Sequence, residues 1–216
     1  MGIAHQFAGE FEMHLTVHPD VDEARLTDWA VTHTLRYSHI VLDRGATPDQ
    51  PMLTLTESGT VDGMKRTVRT LTAAMRSAGF SVVRVKIEAS PHNAQIPQSA
   101  QEAESLSADC YFEHHIKLLL SGHDDLRRIR TLAEPHSAHV SRNARRPVGH
   151  DCHERFVTQR CRGVGLTEAS RQFEDLRKDL STNGFTIVEV EQEYVVHDDH
   201  PALDAGWIAE SDAAAP

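Results

Sequence analysis

Met64, Val68, Leu71 and Met75 repeat as Ala169, Phe173, Leu176 and Leu180, with the same +4, +3, +4 spacing at a constant offset of 105 residues. That spacing is the seam of an amphipathic helix. The same offset carries Gly79 onto Gly184, Phe80 onto Phe185, Val83 onto Val188 and Val85 onto Val190. Upstream, Phe11-Glu12-Met13-His14 aligns with Phe112-Glu113-His114-His115 at an offset of 101, so the extra residues fall in loops. A period of this length marks a duplicated unit; solenoid repeats are shorter and need several copies.

Periodicity within the first copy predicts strands at 11–18, 37–43, 52–56 and 80–88, with helices at 21–34 and 62–77. The second copy predicts strands at 112–119, 138–145, 155–162 and 185–194, with helices at 126–133 and 168–181. Each copy therefore reads βαββαβ, and the fold class is α+β. The expected units are 1–90 and 110–201. Polar residues 91–109, with two prolines and no periodicity, read as a linker. A tail, 202–216, has Leu203, Trp207 and Ile208 available to dock on the body.

Composition narrows the function classes. The apolar runs are too short to span a bilayer, and the first ten residues lack the pattern of a secretion or myristoylation signal, so a cytoplasmic location is expected. Three cysteines without a framework spacing fit reduced thiols. A formal charge of −10 argues against coating nucleic acid, which needs a basic face. Fifteen histidines are the compositional oddity.

Alternation along the strands assigns faces. Phe11, Met13, Leu15 and Val17 belong against helices, as do Val83, Val85, Ile87, Val188 and Val190. The opposite face holds Glu12, His14, Arg84, Lys86 and Glu88, and in the second copy Glu113, His115, Glu189, Glu191 and Glu193. In a βαββαβ unit both helices cover one side of the sheet, and the other side is free for water, ligand or a second sheet. Facing sheets would gather Glu12, His14, Glu113 and His115 in a cleft or barrel lumen and set Arg84 against Glu189 and Lys86 against Glu191. The alternative is a pair of solvated faces.

The βαββαβ order resembles a tandem duplication of the ferredoxin-like unit. His39 and His139, both on the second strand of their copy, with His139-Val140-Ser141 as a His-x-Ser motif, resemble the two-histidine phosphoesterases. That resemblance implies a bilobal enzyme with one histidine as base and the other as acid. Glu10-x-Glu12-x-His14 is similar to the Glu-x-Glu-x-Lys strand of the CYTH, or triphosphate tunnel, enzymes, which implies metal and polyphosphate inside a barrel. Glu189, Glu191 and Glu193 are the candidate ligands for a divalent metal ion of the magnesium or manganese type.

Nine arginines fall between Arg127 and Arg162 in an otherwise acidic chain. By alternation His139, Ser141, Asn143 and Arg145 share the helix-free face with Thr158, Arg160 and Arg162, donors suited to phosphate or carboxylate. Equally, these arginines would pair with Glu189, Glu191 and Glu193 as a structural network. His150-Asp151-Cys152-His153 and His197-Asp198-Asp199-His200 read as solvated loops, and Gly163-Val164-Gly165 is too short for a phosphate loop.

The expected function is an enzyme acting on a small anionic, phosphorylated substrate between the copies, of phosphoester hydrolase type. His14, His115 and His139 would transfer protons, because an imidazole titrates near neutral pH. Glu12 and Glu113 would orient them or hold metal; Ser141, Asn143, Arg145, Arg160, Arg162 and Lys86 would bind the anion. The second copy, richer in such groups, would carry most of the site. A non-catalytic ligand-binding or assembly module is the alternative, since the fold serves both.

Overall fold

The structure, a computed structural model, describes residues 7–121, 126–145 and 152–207. The first copy runs β1 (Ala8–Val17), α1 (Glu23–Thr32), β2 (Arg36–Leu42), β3 (Asp49–Thr60), α2 (Val61–Ser77) and β4 (Val82–Ala89). After a short α3 (Ala100–Glu104), the second runs β5 (Tyr111–Ser121), α4 (Leu126–Ala133), β6 (Ala138–Asn143), β7 (Cys152–Arg162), α5 (Leu166–Thr182) and β8 (Thr186–Asp198). Local chemistry sets the boundaries. Thr60 caps α2 by accepting from the Gly63 amide at 3.2 Å, and Gly79 ends its trailing turn at φ +82, where a Cβ would be strained. Gly184 repeats the stop at φ +86.

The eight strands close into one antiparallel barrel in the order β1-β3-β2-β6-β7-β5-β8-β4. Within it each copy keeps the ferredoxin-like order, β4-β1-β3-β2 and β8-β5-β7-β6. The copies meet edge to edge, through β2 with β6 and β4 with β8, rather than by stacking faces. Closure leaves neither copy with a bare edge strand.

The helices lie outside the barrel, each over the outward side chains of its own copy. Leu15, Leu26, Leu53, Met75 and Phe80 make one buried cluster, and Ile116, Ile129, Val157, Phe173 and Leu180 the corresponding one. A third cluster spans the β4–β8 seam, joining Met13, Met64 and Ile87 to Phe112, Ala169 and Tyr194, so the copies share a core. No helix among the described residues is long and apolar enough to cross a membrane.

Alternation fails locally at two equivalent places, and the β4–β8 ladder has a further irregularity at Val196. Between β1 and β4 the ladder steps from Thr16–Arg84 to Val17–Val82, leaving Val83 bulged. Between β5 and β8 it steps from Lys117–Glu189 to Leu118–Ile187, leaving Val188 bulged. A bulge inserts one residue and reverses the facing of the strand on its far side, so Val82 and Ile187 take the helix-side places expected of Val83 and Val188. Val190 does face outward, but it stays 45% exposed, whereas its ladder neighbour Ile116 is fully buried.

Residues 91–109 are more structured than their polarity suggests. Ser99 caps α3, Ile96 is buried in the seam cluster, and Leu166 donates its amide to Pro97 O at 2.8 Å. Leu203, on a 3-10 turn at Pro201–Asp204, and Trp207, just beyond it, are both buried. Arg146, His150, Asp151 and Ile208 lie outside the described residues.

Candidate functional site

The inward side chains of the strands line a cavity of about 260 Å³ inside the barrel. Glu12, His14 and Thr16 of β1 face it, as do Arg84 and Lys86 of β4, Glu113, His115 and Lys117 of β5, and Glu189, Glu191 and Glu193 of β8. Residues set at equivalent positions by the duplication therefore do converge, in a lumen rather than a cleft.

One end is sealed. Asp204, from the 3-10 turn, accepts from Arg84 at 2.9 Å, Arg160 at 2.7 Å and Gln50 at 3.0 Å. Trp207 covers it, donating from its indole to Val140 O at 2.9 Å. At the other end Arg36 and Glu189 are 63% and 59% exposed, against 4% for Asp204, so the lumen opens there.

Two histidine–carboxylate pairs sit between these ends. His14 Nε2 is 2.6 Å from Glu88 Oε2, and its Nδ1 is 3.0 Å from Thr54 Oγ1. His115 Nε2 is 3.4 Å from Glu193 Oε2, and its Nδ1 is 3.0 Å from Thr158 Oγ1. Burial opposes the charge on His14, yet the Glu88 carboxylate outweighs it, and the imidazole's pKa is raised. Burial likewise opposes ionisation of Glu88, but Lys86 and His14 hold it down to about 2.

Lys86 crosses between the copies, 2.6 Å from Glu88 and 2.5 Å from Glu113. Glu113 is also 2.7 Å from Arg160. Desolvation works against its charge, but Arg160 and Lys86 keep its carboxyl well below the usual range. Glu193 goes the other way, raised by burial and by the nearby Glu88. Glu88, His115 and Glu193 offer one ligand atom each within 4.8 Å of one another, as do Glu12, Glu191 and Glu193.

Several expected members lie elsewhere. His139 is outside the cavity, 6.1 Å from the Trp207 ring and 3.3 Å from Arg44 Nη2; burial and that guanidinium lower it to about 4. His39 is on the outer surface, 2.9 Å from Glu23 and 3.3 Å from Asp49. At the first-strand offset of 101, His39 corresponds to Val140 rather than His139, and that slip of one residue puts the two histidines on opposite faces. The paired geometry of the two-histidine enzymes is therefore not formed by His39 and His139.

Ser141 and Asn143 line the cavity. Arg145 instead lies 4.5 Å over Tyr37 and bonds Thr27, and Arg162 lies 4.1 Å over Tyr111. The expected cross-lumen pairs are also replaced. Arg84 binds Asp198 and Asp204, and Glu189 binds Lys117 of the neighbouring strand. Asp199 and His200 brace the backbone at Val85 and Val83. At Gly165 a Cβ would run into the backbone of Gln98 and Ser99, so that glycine permits close packing of the connecting segment.

Sequence reasoning places Thr158 and Glu88 on the helix-free face but gives Glu88 no role, and it does not select Thr54, Asp198 or Asp204 for the site. Two are within its reach: Glu88 maps onto Glu193 at the offset of 105, and Thr54 nearly so onto Thr158 at 104. Asp204 carries no signal, because its role comes from a turn that folds back over the barrel.

No family model matches this chain, and no curated protein does. Among solved structures it is similar to the acetolactate synthase small subunit from Thermotoga maritima, with 12% identity, a TM-score of 0.31, and coverage of 88% of this chain and 96% of that one. It is similar also to the aspartate kinase from Synechocystis, with 11% identity, a TM-score of 0.24, and coverage of 88% and 45%. At these scores the likenesses carry no argument, and the duplicated ferredoxin-like order rests on the hydrogen-bonded strand ladder itself.

Proposed function

We propose that the barrel is an enzyme acting on a small phosphorylated substrate held in its lumen, with His115 as the group that gives and takes protons. The observation that supports this is the convergence of His14, His115, Lys86, Lys117 and Arg160 on one enclosed cavity built by both copies. Proton transfer needs a donor within hydrogen-bond reach of the ligand, and enclosure strengthens each charge–phosphate contact.

The two histidines divide the work. His14 is clamped by Thr54 and Glu88, and the Glu88 carboxylate favours its charged form, which helps hold negative charge. His115 is the more accessible, with its Nδ1 directed to Thr158 and its Nε2 side open to the cavity beside Glu193. Lys117 and Arg36, near the open end, receive the phosphate, and Ser141 and Asn143 offer further polar contacts. Glu12, ion-paired to Arg36 at 2.5 Å, orients that guanidinium.

The test is a thermal-shift screen against nucleotides, sugar phosphates and inorganic tripolyphosphate, with phosphate-release assays on every compound that shifts the melting temperature. A shift with at least one of them, and release that is lost in His115→Ala, is the expected result. No shift with any phosphorylated compound removes the substrate class.

One observation favours a second reading, a binding module without catalysis. Arg160, Glu113, Lys86, Glu88 and His14 form a continuous ion-paired chain across the lumen, and such a network also serves structure alone. Ligand binding with no turnover in any assay identifies that case.

A further inference from the structure

Carboxylates outnumber ammonium and guanidinium groups in the lumen, and most of the cations are already committed. Arg84 is held by Asp198 and Asp204, Arg160 by Glu113 and Asp204, and Lys86 by Glu88 and Glu113. An anionic ligand reaching past Lys117 and Arg36 into such a space needs positive charge beyond what these committed side chains supply.

Glu193 is the carboxylate left over. It is nine-tenths buried, it accepts no hydrogen bond from any described residue, and its nearest ion-pairing partner is the His115 imidazole at 3.4 Å, while Lys86 and His14 close by are already held by Glu88. A buried carboxylate in that state is costly unless protonated or given a cation. Glu88 converges on the same point from β4, the edge strand of the other copy. The β4–β8 ladder pairs Ala89 with Tyr194, positions related by the offset of 105, so Glu88 and Glu193 stand symmetrically beside the local twofold axis.

We propose that Glu88, His115 and Glu193 form a binding site for one divalent transition cation of the Mn²⁺ or Zn²⁺ type, with Glu12 and Glu191 as its neighbours toward the open end. The ligand set is two carboxylates and one imidazole, which suits a borderline cation better than calcium's all-oxygen shell. A cation about 2.1 Å from each donor separates the donors by about 3–4 Å. The present separations are all within 4.8 Å, so the donors need to draw together by about 1 Å to reach it. Three protein ligands leave coordination positions facing the cavity, where phosphate oxygens would bind. The proposal rests on the phosphorylated-ligand reading for its purpose but not for its test.

Mn²⁺ is the probe of choice, because scattered surface histidines of this histidine-rich chain hold it weakly. Metal-stripped full-length protein is titrated with Mn²⁺ by calorimetry and by loss of the free-ion EPR signal. One Mn²⁺ per chain is expected, with affinity falling at least about tenfold in Glu193→Gln and in His115→Ala. Glu191→Gln, an exposed substitution that spares the packed interior, should weaken binding by a smaller factor, and His18→Ala, on the outer surface, should not change it. Circular dichroism of each variant separates lost ligands from lost fold. Absence of Mn²⁺ binding, or wild-type affinity in folded Glu193→Gln and His115→Ala, overturns the site. The same protein is then screened with tripolyphosphate with and without Mn²⁺. Mn²⁺ binding without any phosphate-dependent shift keeps the metal site and removes the substrate class; a shift without Mn²⁺ binding does the reverse.

Discussion

His14 Nε2 lies 2.6 Å from Glu88 Oε2, and both groups are buried in the barrel wall. Glu88 also anchors Lys86, so this carboxylate ties a histidine and a lysine of the first copy to Glu113 of the second.

Glu88→Gln should therefore cost roughly 3 kcal/mol, because it strands a buried cation rather than removing a neutral contact. Urea unfolding at pH 7 measures the loss. A double variant Glu88→Gln/His14→Gln, which removes both charges, should recover part of it; equal stability of the single and double variants would mean that the pair is not coupled.

Asp204→Asn should loosen the sealed end of the barrel. Arg84 and Arg160 each lose a carboxylate partner there, at a cost of about 3 kcal/mol if the turn opens. With Trp29 replaced by Phe, Trp207 is the sole indole, and its emission should shift to the red and become quenchable by iodide. Unchanged emission would show that Trp207 holds its place by packing alone.

Stability should fall on the acid side of neutrality. His139 has an unfolded value near 6.5 and a folded value of about 4, so between these the unfolded chain binds the extra proton. The contribution is complete above about pH 6.5 and is lost as pH drops through about 4. Allowing for partial screening by solvent, it is on the order of 2 kcal/mol. His114, also lowered by burial, acts in the same direction. His139→Gln should flatten the slope of unfolding free energy against pH from 6.5 to 4.5 without abolishing it.

Two glycines should respond differently to alanine. At Gly165 there is no room for a Cβ beside the Gln98 and Ser99 backbone, so the connecting segment must shift, at a cost of about 2 kcal/mol. Gly184 has open space around it and bears only the strain of its φ of +86, about 1 kcal/mol. Thermal melts of the two variants give the ranking; a larger effect at Gly184 would contradict it.

Much of the fold is legible because the duplication supplies two independent readings of each element. The α2 and α5 ladders, the strand order within each copy, and the inward facing of Glu12, His14, Glu113 and His115 all come from periodicity. What periodicity does not encode is which edges join, since that depends on partners about a hundred residues away. The closed barrel is thus one of three options, beside a cleft and a pair of solvated faces. Simple alternation misplaces Val83 and Val188 because a bulge leaves no mark on composition. His39 and His139 fall one residue out of correspondence between the copies, and Arg145 lies beyond the end of β6, where strand alternation no longer applies. Asp204 and Trp207 enter the site from a turn whose docking is decided by tertiary contacts alone.

The edge-to-edge closure makes the two copies depend on each other. Each copy spends both of its outer strands on the other, so a lone copy would leave two raw strand edges and an uncovered half of the seam cluster. The smallest unit that pairs every strand is accordingly two copies together, with Glu88 and Glu193 at equivalent positions beside the local twofold axis. Fragments 1–90 and 91–216, mixed after separate production, should reassemble into the barrel; two fragments that each fold stably alone would contradict that interdependence.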